Sequence, residues 1–336
     1  MSLRIGVLLI AIGALAAAEC PALAASQRDW DACISQDPDT SIAGCTRILD
    51  AGDETPKVHS TVYNARGVAY KRKGDYDRAI ADYDEAIRLD PNNASAYSNR
   101  GNEYVRKGDY DRAIADCDEA IRLDPEGVRR YFGRGGARFY AGAVAGAVAD
   151  FQQATVRRPA DAYAALWLEI AERRGGLDGH LAQTLAGVDM TKWPAPVIQH
   201  FLGEVTLPAL LAAADDRDPA TRGNQVCEAN FYAGELSLLN GDRREAERLF
   251  RLSFEGCPHN FMEYDGARFE LAGLAAEPTP VGLVPAASET ELVFWNSVKD
   301  STSLADFEAY LASFPNGVFA ALARNRLAAL KRHVDD

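Results

Sequence analysis

Residues 73–91 read KGDYDRAIADYDEAIRLDP, and residues 107–125 read KGDYDRAIADCDEAIRLDP. The two blocks differ only where Cys117 replaces Tyr83, and they lie 34 residues apart. The same interval links Gly67, Gly101 and Gly135; Gly74, Gly108 and Gly142; Ala79, Ala113 and Ala147; Ala86, Ala120 and Ala154; and Pro91, Pro125 and Pro159. A fixed period of this length marks a stacked helical repeat. Gly67 and Ala79 are small, which lets two helices approach closely. Gly74 suits a tight turn between them, because glycine accepts backbone angles that other residues avoid. Tyr83 and Ala86 are three apart and share one face of the second helix. Asp90-Pro91 stops that helix, since proline restrains the residue before it and has no N–H to donate.

These residues resemble the tetratricopeptide repeat, in which each unit is a pair of antiparallel helices. The expected fold is an all-α tetratricopeptide-repeat solenoid of helical hairpins with a small C-terminal helical unit. The array is expected over residues 26–275, with strict repeats over 60–161 and degenerate units at 29–51 and 227–260. The third strict unit is a looser copy, with Ala141-Gly142-Ala143 at its turn. In the first degenerate unit Cys45 takes the aromatic position, and antiparallel helices bring it to Cys33. In the late unit Cys227 starts the first helix and Cys257 ends the second, so these two are the other expected disulfide. Closing a loop of that length is worth about 3–4 kcal/mol in the chain-entropy model. Cys117 reads as a core thiol.

The ends of the chain have a different character. Arg4, the apolar run 5–18 and Ala22-Leu23-Ala24 form a secretory leader over 1–24, cut after Ala24 or Ala25. An uncleaved anchor is the alternative, but the run is shorter than the ~20 residues a span needs. Cys20 follows Glu19, which argues against a lipid-attachment signal. The expected location is the periplasm or outside the cell, where cysteine pairs persist. No later segment is apolar enough to span a membrane. Residues 276–288 hold three prolines and read as a linker. Residues 289–333 read as three short helices, too few to bury much alone. They should dock on the array or on a partner.

From about 60 to 275 the order of features resembles the bacterial lipoprotein NlpI family. The residues concerned are 165–172 (ALWLEIAE), 229–234 (ANFYAG), 259–264 (HNFMEY) and 268–271 (RFEL). The resemblance implies an outer-membrane adaptor that dimerises and brings cell-wall hydrolases to a periplasmic protease. This chain departs from it by lacking the lipid signal and adding the aromatic tail.

The net charge of −13 argues against a nucleic-acid partner, whose phosphates need a basic face. The histidines His59, His180, His200, His259 and His333 show no metal-ligand spacing, and no catalytic motif is present. No metal and no cofactor are expected. Asp82, Asp84, Glu85 and their copies read as a solvated helix face. Asp215-Asp216-Arg217-Asp218 reads as a polar turn. In this repeat type the first helices line a concave groove, which here would hold Asn64, Lys71, Arg72, Ser98, Asn102, Arg106, Arg129, Phe132, Phe139 and Tyr140. A basic and amide floor with an aromatic end suits an extended peptide. The expected function is a non-catalytic adaptor for a protein or peptide partner, with a homodimer as one expected assembly. One alternative is a self-associating scaffold; another is an enzyme with an unrecognised site in residues 161–222.

Overall fold

The computed structural model of the chain describes residues 25–276 and 289–334, apart from 260, 300, 302 and 316. The leader expected over 1–24 and the linker beyond Ala276 lie outside the described residues. Four helical hairpins open the array. They are α1 (Gln27–Cys33) with α2 (Pro38–Ala51), α3 (Pro56–Arg72) with α4 (Tyr76–Leu89), α5 (Ala94–Lys107) with α6 (Tyr110–Leu123), and α7 (Val128–Tyr140) with α8 (Val144–Arg157). Next come α9 (Ala162–Arg174), a 3-10 turn (Leu181–Thr184), α10 (Ala195–Phe201) and α11 (Leu207–Ala213). A fifth long hairpin, α12 (Pro219–Leu239) with α13 (Arg243–Gly256), follows, and α14 (Met262–Ala275) packs on it. The tail holds α15 (Glu289–Val298), α16 (Leu304–Ser313) and α17 (Ala320–Val334). No strand occurs among the described residues.

Local chemistry fixes each hairpin. Asp75 and Asp109 cap α4 and α6 by accepting the backbone N–H of Arg78 and Arg112. Gly74 at the intervening turn has φ of 77°, in the region that favours glycine. At Gly67 an added Cβ would stand 2.6 Å from the ring of Tyr83, and at Gly135 it would stand 2.9 Å from that of Phe151. The late hairpin repeats the contact with Gly234 against Phe250 at 2.8 Å. Cys117 is slimmer, so at Gly101 the nearest atoms lie 3.2–3.3 Å away. Cys117 is buried and unpaired, and burial pushes its thiol up to about 12.

The acidic face is not uniformly solvated. Asp82, Asp116 and Asp150 are buried. Each takes both arms of an arginine sixteen residues earlier: Arg66 at 2.8 Å, Arg100 at 2.7 Å and Arg134 at 2.6 Å. This corrects the solvated reading of Asp82 and Asp116. Half-exposed Asp84 and Asp118 then tie neighbouring units, accepting from Arg100 at 2.6 Å and Arg134 at 2.5 Å. The forked geometry is the strong form of such a pair.

The sulfur atoms of Cys33 and Cys45 are 1.95 Å apart, and those of Cys227 and Cys257 are 1.90 Å apart. The first pair joins the helices of the capping hairpin, and the second ties the middle of α12 to the end of α13; α12 begins at Pro219, which corrects the expectation that Cys227 starts it. The tail has its own aromatic centre of Trp295, Phe307, Tyr310 and Phe319, and α17 lies against α8. Docking in cis is thus what the structure shows for this unit.

Two outcomes test these contacts. Gly67→Ala should destabilise the chain by about 2 kcal/mol through overpacking against Tyr83. Gly101→Ala should cost clearly less, as read by urea unfolding. Non-reducing peptide mapping of the chain should find Cys33–Cys45 and Cys227–Cys257 linked, with Cys117 alkylated only after unfolding.

Candidate functional site

The first helices α3, α5 and α7 stand side by side on the concave face. Their side chains meet the start of α9 and the inner side of α14 around a cavity of about 470 Å³. Of the residues expected there, Lys71, Asn102, Arg106, Arg129, Phe132 and Tyr140 line it. Asn64 lies deeper, where its side-chain oxygen accepts from Asn99 at 2.9 Å and so joins α3 to α5. Ser98 is half-buried beside this pair and does not reach the cavity.

Two expectations are corrected. Arg72 turns away from the groove and donates to the Ser35 carbonyl of the capping hairpin at 3.4 Å. Phe139 is a core residue, 5 % exposed, with its ring 5.5 Å from that of Trp167 and the Arg174 guanidinium above it. Helix α9 follows the third unit and covers the position that Lys71 leaves open in the first. Tyr140 belongs to both environments. It is buried, packs 4.7 Å from Phe269, and still borders the cavity.

The charged floor is built around a buried acid. Glu103 on α5 is fully buried. Lys71 lies 3.9 Å from one of its oxygens and Arg106 lies 3.5 Å from the other. Burial raises its pKa, and Lys71 and Arg106 oppose that rise. Burial lowers Lys71, and Glu103 opposes the drop. Arg106 also pairs with Asp265 of α14 at 2.6 Å. Arg129 is exposed at the rim. The floor therefore offers cations, an amide and a half-buried ring within one cavity. It can hold acidic side chains and backbone carbonyls, with apolar contact on Phe132.

Sequence reasoning missed the far wall. Met262 and Asp265 come from α14, and Arg158, Asp161 and Tyr163 come from the α8–α9 junction. No local signal identifies Met262 and Asp265, because α14 reaches the groove only through the curvature of the whole array. Behind this wall lies a second acidic group. Glu228 accepts from the Tyr163 hydroxyl and the Trp193 indole N–H, both at 2.7 Å. Glu263 accepts from Tyr232 at 3.2 Å. Burial, then the neighbouring Glu228, pushes Glu263 up to about 8. Among the described residues no group of three or more His, Cys, Asp or Glu side chains is placed to hold a metal ion. None of the described helices is long and apolar enough to cross a membrane.

The tetratricopeptide-repeat family description matches residues 64–128 and 98–162. The stretch 64–162 carries repeats of that family. The second repeat domain of human RPAP3, solved in complex with an HSP70 peptide, is 30% identical. That match covers 34% of this chain and 97% of that one, with a TM-score of 0.34. The Arabidopsis OM64 repeat domain is 29% identical over 35% of this chain and 98% of that one, with a TM-score of 0.35. Pseudomonas aeruginosa pilF is 16% identical over 69% of this chain and 90% of that one, with a TM-score of 0.39.

Glu263 has a measurable consequence. The folded chain holds a proton there that the unfolded chain releases above the ordinary value of 4.5, so stability falls as pH rises from 4.5 to about 8. The melting temperature should drop by about a few degrees between pH 5 and pH 8. Glu263→Gln should reduce that slope in a calorimetric pH series without removing it, because burial also pushes Glu235 up to about 8.

Proposed function

We propose that this chain is an exported, non-catalytic adaptor that holds a protein partner by a short segment lying on the concave face. The observation that carries this reading is the convergence of Lys71, Asn102, Arg106, Arg129 and Phe132 from three successive repeats on one cavity. Domains of this repeat family mediate protein or peptide binding, which agrees with an adaptor role. The cations sit in a chain of net charge −13, so an acidic segment is attracted to this face and repelled by most of the remaining surface. The leader and the two cysteine pairs support export to an oxidising compartment. Cell-wall hydrolases and a periplasmic protease are the partner classes implied by the resemblance over residues 60–275. The absence of catalysis is part of the same proposal. It is supported by the structural contacts of the histidines: His200 bonds the Val205 carbonyl at 2.9 Å, and His259 packs on Tyr264 at 4.5 Å.

Affinity capture from periplasmic extract tests the reading. The Lys71→Ala/Arg129→Ala double variant should lose most of the partners held by the natural chain. Arg72→Ala should retain them, because Arg72 faces the capping hairpin. Identical partner sets for the natural chain and the double variant would refute the groove assignment.

A further inference from the structure

Helix α14 has two faces with different neighbours. One face is core: Gly266 lies so close to Phe231 and Tyr140 that an added Cβ would come within 2.6 Å of the first ring and 2.8 Å of the second residue's hydroxyl. The other face lies against the second strict unit and the end of α7. Asp265 meets Arg106 at 2.6 Å, with both side chains largely covered. Phe269 packs 6.2 Å from Tyr110 and 4.7 Å from Tyr140. Arg268 donates to the Arg106 carbonyl at 2.5 Å. In the turn before the helix, the His259 carbonyl accepts from the Tyr76 hydroxyl at 3.1 Å and from Arg106 at 3.0 Å.

The same part of the groove that would receive a partner is therefore already engaged by the chain itself. The engagement has a readable chemistry. A carboxylate and an aromatic ring four residues later lie on one side of a helix, because that spacing is close to one helical turn. The carboxylate finds a guanidinium, and the ring finds two tyrosines.

We infer that the Arg106 end of the groove is a receptor for a helical segment carrying an acidic residue and, four places later, a phenylalanine, and that α14 is its resident occupant. The inference rests on the groove reading given under Proposed function. A partner helix with this pattern competes with Asp265 for Arg106 and with Phe269 for Tyr110. Its binding is linked to the parting of α14 from α5 and α6, so the contact sets a threshold that only a matching partner crosses. The parting is local, since α14 keeps its packing on α13 and the Cys227–Cys257 pair holds the chain just before the turn. Lys71 and Arg129 flank Arg106 at the cavity, so the site attracts an acidic segment before α14 is displaced.

A fluorescein-labelled peptide of residues 262–275, followed by anisotropy, is the probe. The proteins are the natural chain, Asp265→Asn, Tyr76→Phe, and Asp265→Asn combined with Arg106→Gln. Asp265→Asn keeps the side-chain shape, and Tyr76→Phe removes one hydrogen bond at the array's surface. Either variant is usable once its melting curve stays within a few degrees of the natural chain. The peptide should bind Asp265→Asn about tenfold or more tightly than the natural chain, and Tyr76→Phe severalfold more tightly. Arg106→Gln should abolish the gain, as should a peptide with lysine at the Asp265 position or alanine at the Phe269 position. Equal binding to the natural chain and both variants, or binding indifferent to Arg106→Gln, overturns the inference. If partner capture still depends on Lys71 and Arg129 in that case, the adaptor reading stands and the α14 inference alone falls.

Discussion

The contact between a glycine on the first helix of a hairpin and a ring on the second sets the geometry of this molecule. It recurs as Gly67 with Tyr83, Gly135 with Phe151 and Gly234 with Phe250. A ring seated against bare backbone fixes how near the two helix axes come and how they cross. Because the contact returns at a constant interval through the strict units, each hairpin adds a similar rotation, and the first helices all turn toward the inside of the curve. This rotation carries the groove side chains to one face, where contacts such as Lys71 and Arg106 with Glu103 then hold them. The second strict unit relaxes the rule with Cys117, and there the surrounding atoms stand slightly farther off.

Two other systems hold the hairpins in register. The forked pairs of Arg66, Arg100 and Arg134 with buried aspartates lock the helices within each unit, and the free arms of Arg100 and Arg134 reach back to the unit before. Past the third unit a ring cluster joins the linkage, beside the buried pair of Arg174 with Glu235 at 2.8 Å. Trp167 is fully buried, with Phe139, Phe151 and Phe231 at 5.5–5.9 Å. It joins the last strict hairpin to the late one across α9. A fully buried indole surrounded by rings supplies much contact area and little freedom.

What the sequence made legible was local or periodic. The turn glycines, the aspartate caps, the Asp-Pro stops and the small-residue positions follow from backbone preferences and spacing. The register of the late unit came from the same alignment, which also placed Cys227 near Cys257. The errors arose where one repeat position meets different neighbours in different units. Lys71 and Phe139 occupy equivalent places, yet α9 covers only the second. Arg72 and Arg106 are also equivalent, but the first finds the capping hairpin and the second finds α14. Asp82 read as solvated because its arginine lies sixteen residues away, beyond the short spacings by which charge pairs on one helix are recognised. The far wall of the groove was invisible for a simpler reason: it depends on the accumulated curvature of every hairpin between α3 and α14.

An array of stacked hairpins ordinarily touches only its neighbours, so it behaves as a one-dimensional chain whose ends fray independently. The hydrogen bonds from Tyr76 and Arg106 to His259 span 183 and 153 residues of sequence, and they turn the line into a loop. Loop closure adds contacts of high sequence separation, which slow folding because distant segments must meet before the contact rewards them. In return, the early hairpins and the late one share a cooperative unit. Amide protons of α3 and α14 should therefore exchange with similar protection, while those of α1, beyond the closure, fray earlier.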